Sequence, residues 1–153
     1  MKLSPGDHEK LRYHLRRPER SLLLTVLERY PLIPPAHQRL SRSMASEPLE
    51  HGQQLLDEAL AEQRRENRDR VKTFLQDPER FRETETGWQL ILSPADREWL
   101  LQVLNDVRVG SWIKLGSPEA DDAEIYHDFE LAPDAWIMEM AGRFQLVLLE
   151  SPD

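Results

Sequence analysis

The chain has 153 residues, 28 Asp/Glu against 20 Lys/Arg, a formal net charge of −8 and no cysteine. That length suits one domain able to bury about two thirds of its unfolded surface. The lack of a thiol excludes disulfides, thiolate metal sites and thiol redox chemistry, and the negative charge argues against non-specific attraction to nucleic acid.

The charge is unevenly spread. Residues 1–43 hold nine Lys/Arg and four Asp/Glu, whereas the rest hold eleven and twenty-four. This separation suits either a basic face that meets an acidic partner or phosphates, or two ends that attract each other within the fold. No apolar run approaches the ~20 residues that span a bilayer, and the N-terminal stretch does not resemble a signal peptide, so a single cytoplasmic domain over 1–153, without membrane contact, is expected.

Residues 1–8 carry Pro5 and Gly6 and are expected to form a loop. Leu11, Tyr13 and Leu15 then alternate with polar residues as in a short strand. Arg16 to Tyr30 reads as a helix with Pro18 in its first turn and Leu22, Leu23, Val26 and Leu27 at helical spacing, ended by Pro31. The polar, proline-containing run up to Pro48 reads as loop.

From Pro48 to Leu75 a long helix is expected, apolar at its start (Leu55, Leu56, Ala59, Leu60) and its end (Val71, Phe74, Leu75). Its middle, Ala61 to Arg70, has no large apolar residue and should stand in water. DPERF, from Asp77, reads as a further helical turn. Trp88 to Leu92 alternates as a second short strand able to pair with residues 10–15.

The stretch from Leu92 to Gly116 is the most sharply bounded. Ser93 can cap a helix, Pro94 fits its first position and Asp96 suits the positive end of its dipole. Lys114 and Gly116 suit the other end. Leu100, Leu101, Val103, Leu104, Val107, Val109, Trp112, Ile113 and Leu115 cover more than one side of that helix, which predicts a central rod surrounded by other elements. Pro133 opens a last amphipathic helix carrying Trp136, Ile137, Met140, Ala141, Phe144, Val147 and Leu148. Gly110 and Gly142 would be explained by a close crossing of these two helices. The expected architecture is therefore mainly α: a compact bundle of about five helices around a buried central helix (93–116), with at most a small two-stranded β ribbon.

Two groups of residues stand out as candidate sites. Gln102, Asn105, Asp106, Arg108 and Ser111 interrupt the apolar central helix; buried, they must be paired. They form either an internal network tied to a neighbouring helix or a ligand site. Glu119, Asp121, Asp122, Glu124, Asp128 and Glu130, with Ile125, Tyr126 and Phe129 among them, form the densest negative patch and the candidate partner surface.

Glu124, His127 and Asp128 have metal-donor chemistry but no metal-site pattern, so no metal is expected. No nucleophile elbow or phosphate-binding glycine loop is present, and no catalytic or cofactor-binding residue is assigned. Arg12, Arg16, Arg17, Arg20, Arg39 and Arg42 make a basic segment, but PLIPPAHQRLSRS is too proline-rich for a recognition helix, so the expectation is against nucleic acid.

LLQVLNDVRVGSWIKLG, Leu100 to Gly116, with the leading LSPADREW, resembles the leucine-rich helix, LNDxR and LG segment of the DUF2017 proteins, a bacterial family of unknown function. PERSLLLTVLERYP and the closing helix are similar more loosely. The resemblance implies a mainly helical, cytoplasmic bacterial protein without established catalytic residues and with a regulatory role. Asn105, Asp106 and Arg108 are the matched positions. The expected function is thus a non-enzymatic protein-interaction or regulatory protein, with transcriptional or stress regulation as a possible setting. Its partner would be another protein, and homo-oligomerisation is left open. The alternative is a small-molecule-binding or enzymatic domain with a polar site on the central helix.

Overall fold

The computed structural model describes residues 1–4, 9–33, 50–117 and 132–150. In chain order they form β1 (Lys2–Ser4), β2 (Leu11–Leu15), α1 (Arg17–Leu27), α2 (Glu50–Gln76), β3 (Phe81–Thr84), β4 (Gly87–Leu92), α3 (Pro94–Lys114) and α4 (Ala132–Leu149). The expected five-helix bundle with a two-stranded ribbon is overturned. The described residues form four helices beside a four-stranded antiparallel sheet of order β1-β2-β4-β3, an α+β fold.

The central pair is the one the alternation predicts. Leu11 lies opposite Leu92, Tyr13 opposite Leu90 and Leu15 opposite Trp88. A side-chain period of two sends these residues to one face, where Tyr13, Leu15, Leu90 and Leu92 are fully buried.

The two outer strands were hidden by their composition. β1 is three residues long, too short to show a period, and lies in the stretch expected to be loop. β3 reads FRET, with Phe81 buried but Arg82 and Glu83 exposed; a polar edge strand carries little apolar pattern to detect. What reads as a helical turn at DPERF is a tight turn, Arg80 N–H to Asp77 C=O, that delivers the chain into β3.

Side chains fix the starts of α3 and α1. At α3 the Ser93 hydroxyl accepts from the Asp96 amide (3.1 Å) and the Asp96 carboxylate accepts from the Ser93 amide (3.1 Å), a reciprocal cap. Gly116 takes a left-handed φ of 86° just past the end of that helix. At α1 the Glu19 carboxylate accepts from the Arg16 amide (2.7 Å), from its guanidinium and from the Met1 amino group (2.5 Å).

α3 packs chiefly on α4, and also on α1 and β4. Beyond Asp96 and Arg97 in the first turn, its buried residues are Trp99, Leu100, Val103, Leu104, Val107, Gly110 and Ser111, which recur at three- and four-residue intervals. They make one face rather than a full circumference: Glu98, Gln102, Asn105, Arg108 and Trp112 face outward, and Trp112 is 38% exposed. The rod is therefore amphipathic and not enclosed. α4 answers it with Ala135, Ile137, Ala141, Phe144 and Leu148. Burying a leucine such as Leu104 stabilises by about 1.5–3 kcal/mol.

α2 meets the core at its C-terminal end, where Val71 and Phe74 are buried and Phe74 packs against Phe81 and Trp99 at centroid distances of 5.4 Å. The apolar stripe expected at its start does not reach the core: Leu55 is 56% exposed and Ala59 is exposed.

Gly110 does not meet Gly142. A Cβ on Gly110 would lie 2.4 Å from Leu32 Cβ, whereas a Cβ on Gly142 would touch only Arg108 Cδ at 3.7 Å. The close approach at Gly110 is made by the chain leaving α1, which follows a cis Tyr30–Pro31 bond.

Candidate functional site

The five polar residues of α3 divide by their environment. Asp106 is half-buried, and its Oδ1 accepts from the amides of Leu32 (2.8 Å) and Ile33 (3.4 Å). These two amides belong to an irregular segment with no ladder of its own, so the carboxylate satisfies donors that would otherwise be left unpaired. Asn105 and Arg108 are exposed and pair with each other, Arg108 Nη2 donating to Asn105 Oδ1 at 3.1 Å. Gln102 is exposed. Ser111 is fully buried, and its hydroxyl finds no hydrogen-bond partner among the described residues. All six acidic candidates from Glu119 to Glu130, with His127, lie outside the described residues, as do Arg39 and Arg42.

Beside Asp106 runs a cleft of about 200 Å³ between α2, α3 and the segment after α1, lined by Tyr30, Ile33, Leu60, Gln63, Arg64, Asn67, Gln102, Val103, Asn105 and Asp106. Asn67 holds its wall together: its Oδ1 accepts from Trp99 Nε1 at 3.3 Å, and its side chain bonds the Tyr30 hydroxyl. Burial pushes the Tyr30 pKa up and nearby Asp106 adds to this, against the lowering effects of the Asn67 bond and Arg64. Arg64 has its Nε and Nη2 shielded from solvent with no acceptor among the described residues.

A second polar cluster surrounds Asp96. Arg80 Nη1 and Arg70 Nη2 (3.3 Å) both pair with its carboxylate, and Arg80 Nε also reaches Asp77 Oδ2 at 3.2 Å. Arg70 lies over the Trp99 ring at 4.4 Å and Arg80 over Phe74 at 5.6 Å. Burial by itself would raise the Asp96 pKa; the bonds from Arg80 and Ser93 outweigh it and hold the carboxyl below its usual range. A carboxylate so fully occupied is a poor proton acceptor, and it acts as a joint between α2, β3 and α3.

The N-terminal arginines are mostly engaged. Arg17 pairs with Glu83 (3.3 Å), Arg16 with Glu19 (3.2 Å), and Arg20 lies over the Trp88 ring at 3.9 Å. Arg12 differs, because strand alternation turns it to the face of the sheet opposite the core. Lys2 lies opposite His14, His14 opposite Gln89 and Gln89 opposite Arg82, so these four form one row across all four strands. Ser4, Arg12 and Ile91 form the next row. Adjacent strands are about 4.8 Å apart, so the four-residue row crosses roughly 14 Å and the three-residue row roughly 10 Å.

Lys2 and Arg82 are exposed, and Arg12, His14, Gln89 and Ile91 are half-buried. Among the described residues Lys2, Lys10, Arg12, His14 and Arg82 form no ion pair. Open clefts flank this face at both ends, about 340 Å³ where Lys10, Arg12 and Arg82 meet Glu9, Asp77, Glu79 and Asp96, and about 520 Å³ where Lys2, His14 and Arg16 meet Glu19. Alternation puts Arg12, His14 and Gln89 on this face of the two expected strands, whereas Lys2 and Arg82 join them only through β1 and β3, whose sequences carry no readable period.

Among the described residues no cluster of three His, Asp or Glu could hold a metal ion, and no helix is long and apolar enough to cross a membrane. No family model, no curated protein and no solved structure matches the chain. The DUF2017 resemblance therefore stands on the residues of α3 themselves.

Proposed function

We propose that this chain is a non-enzymatic interaction protein that docks an acidic segment of a partner protein on the open face of its sheet. The observation that carries this reading is the row Lys2, His14, Gln89 and Arg82, with Arg12 beside it, whose basic groups form no ion pair among the described residues although the chain has a net charge of −8. Each exposed ion pair is worth about 0.2–1 kcal/mol, so several together support weak, salt-sensitive and reversible binding, which suits regulation.

The net negative charge opposes an acidic peptide and a phosphate backbone alike at long range, so a protein partner fits better than nucleic acid for one reason. The sheet's aromatic residues, Tyr13, Phe81 and Trp88, lie on its core face, so the open face offers no platform on which bases could stack. The likeness of Leu100 to Gly116 to the DUF2017 proteins supports the same regulatory reading.

The test is fluorescence anisotropy with a labelled glutamate-rich peptide and, separately, a labelled oligothymidine, at about 25 and about 150 mM salt, the second close to physiological ionic strength. The peptide should bind, weaken with salt and be lost in Arg12→Glu/Arg82→Glu. Preference for the oligonucleotide, or equal binding by the variant, would overturn the proposal.

A further inference from the structure

We propose that the cleft beside Asp106 binds a free α-amino acid, with Arg64 of α2 receiving its carboxylate and Asp106 of α3 its ammonium. Two charges of opposite sign face one small space from different helices without pairing with each other. Among the described residues Arg64 forms no ion pair, and two of its guanidinium nitrogens are closed off from water with no acceptor there. Buried donors without a partner are costly, and a carboxylate is the acceptor whose geometry matches the guanidinium fork.

Asp106 commits only Oδ1 to the Leu32 and Ile33 amides. Its Oδ2 has no donor among the described residues and is left for an ammonium. Tyr30 lines the same cleft.

Size and lining narrow the ligand further. About 200 Å³ is smaller than the roughly 300–1,000 Å³ of clefts that take drug-sized ligands. With a water's share near 30 Å³, it holds about seven water-sized groups, enough for glycine, alanine or serine. Gln63, Asn67, Gln102 and Asn105 offer further donors and acceptors, while Leu60, Ile33 and Val103 supply an apolar side for a short side chain. The site is separate from the sheet face and independent of what docks there.

The test is titration of the isotope-labelled protein by NMR with L-alanine, with acetate (the anion alone) and with methylammonium (the cation alone), in wild type, Arg64→Gln and Asp106→Asn. Asp106→Asn keeps a carbonyl oxygen for the Leu32 and Ile33 amides, and circular dichroism confirms that both variants are folded. Alanine should give saturable shifts at residues lining the cleft, with millimolar affinity. Acetate and methylammonium should each bind at least tenfold more weakly than alanine, and each variant should weaken alanine at least tenfold. No saturable shift at about 50 mM alanine, acetate binding as well as alanine, or unchanged alanine binding in both variants would each overturn the proposal.

Discussion

Leu32 sits in a notch that Gly110 leaves in α3: a Cβ on that glycine would lie 2.4 Å from Leu32 Cβ and 2.7 Å from its carbonyl carbon. Backbone cannot yield as a flexible side chain can, so Gly110→Ala should destabilise by about 1–3 kcal/mol even though alanine is the better helix former. Gly142 faces only Arg108 Cδ at 3.7 Å, within ordinary contact. Gly142→Ala should therefore stabilise, by up to about 1 kcal/mol. Urea unfolding of the two variants checks the opposite signs.

One turn before Gly110, Asp106 secures the same segment through the Leu32 and Ile33 amides. Asp106→Asn keeps an acceptor and should cost about 1 kcal/mol. Asp106→Leu strands two donors and should cost about 3 kcal/mol. Amide hydrogen exchange at Leu32 and Ile33 should quicken in the leucine variant and change little in the asparagine variant.

Stability should fall in acid. Burial raises the Asp96 pKa, but the bonds from Arg80 and Ser93 more than reverse this and hold it below its ordinary value of 3.8. Burial likewise opposes the bonds from the Met1 amino group and Arg16 that bring Glu19 down from 4.5 to about 2. For a carboxyl depressed by folding, the stabilisation is complete above the unfolded pKa and fades as pH drops through the folded one. The loss attributable to Glu19 should thus run from about pH 4.5 to about pH 2. Asp96→Asn should cost about 3 kcal/mol at neutral pH, because it leaves Arg70 and Arg80 without their shared counter-charge, and clearly less at pH 3. A pH series of denaturant unfolding for wild type and variant checks the convergence.

Ser111 is fully buried with no partner for its hydroxyl among the described residues. Ser111→Ala removes that polar group and raises helix propensity, so it should stabilise by about 1 kcal/mol, read as a higher denaturation midpoint.

How much of this was legible depended on whether an interaction was local. The cap at Ser93 and Asp96 and the strands around Leu11–Leu15 and Trp88–Leu92 follow from residues a few positions apart, and they are where the pattern put them; the pairing of the two strands joins distant positions, and their matching apolar alternation made it readable. β1 and β3 are too short or too polar to carry a period. Charge partners were the least readable. Spacing on α2 pairs Arg70 with Glu66, yet Arg70 reaches Asp96, 26 positions away, because packing Phe74 on Trp99 brings α2 and α3 together there. Arg64 and Asn67 looked like part of a solvated helix face, although they line the cleft. Of the polar set on α3, the sequence could not tell that Asp106 turns inward while Asn105, its neighbour, turns out. That depends on where the chain after α1 crosses the helix.

The seam between β2 and β4 also bears on how the protein is made. A ribosome delivers Leu11, Tyr13 and Leu15 early, but Leu90 and Leu92 emerge only after more than half of the polypeptide has been produced. Until then one edge of β2 has no strand to pair with, and a nascent chain released before that point would carry that edge open. Such a truncated product is a natural target for chaperones and proteases.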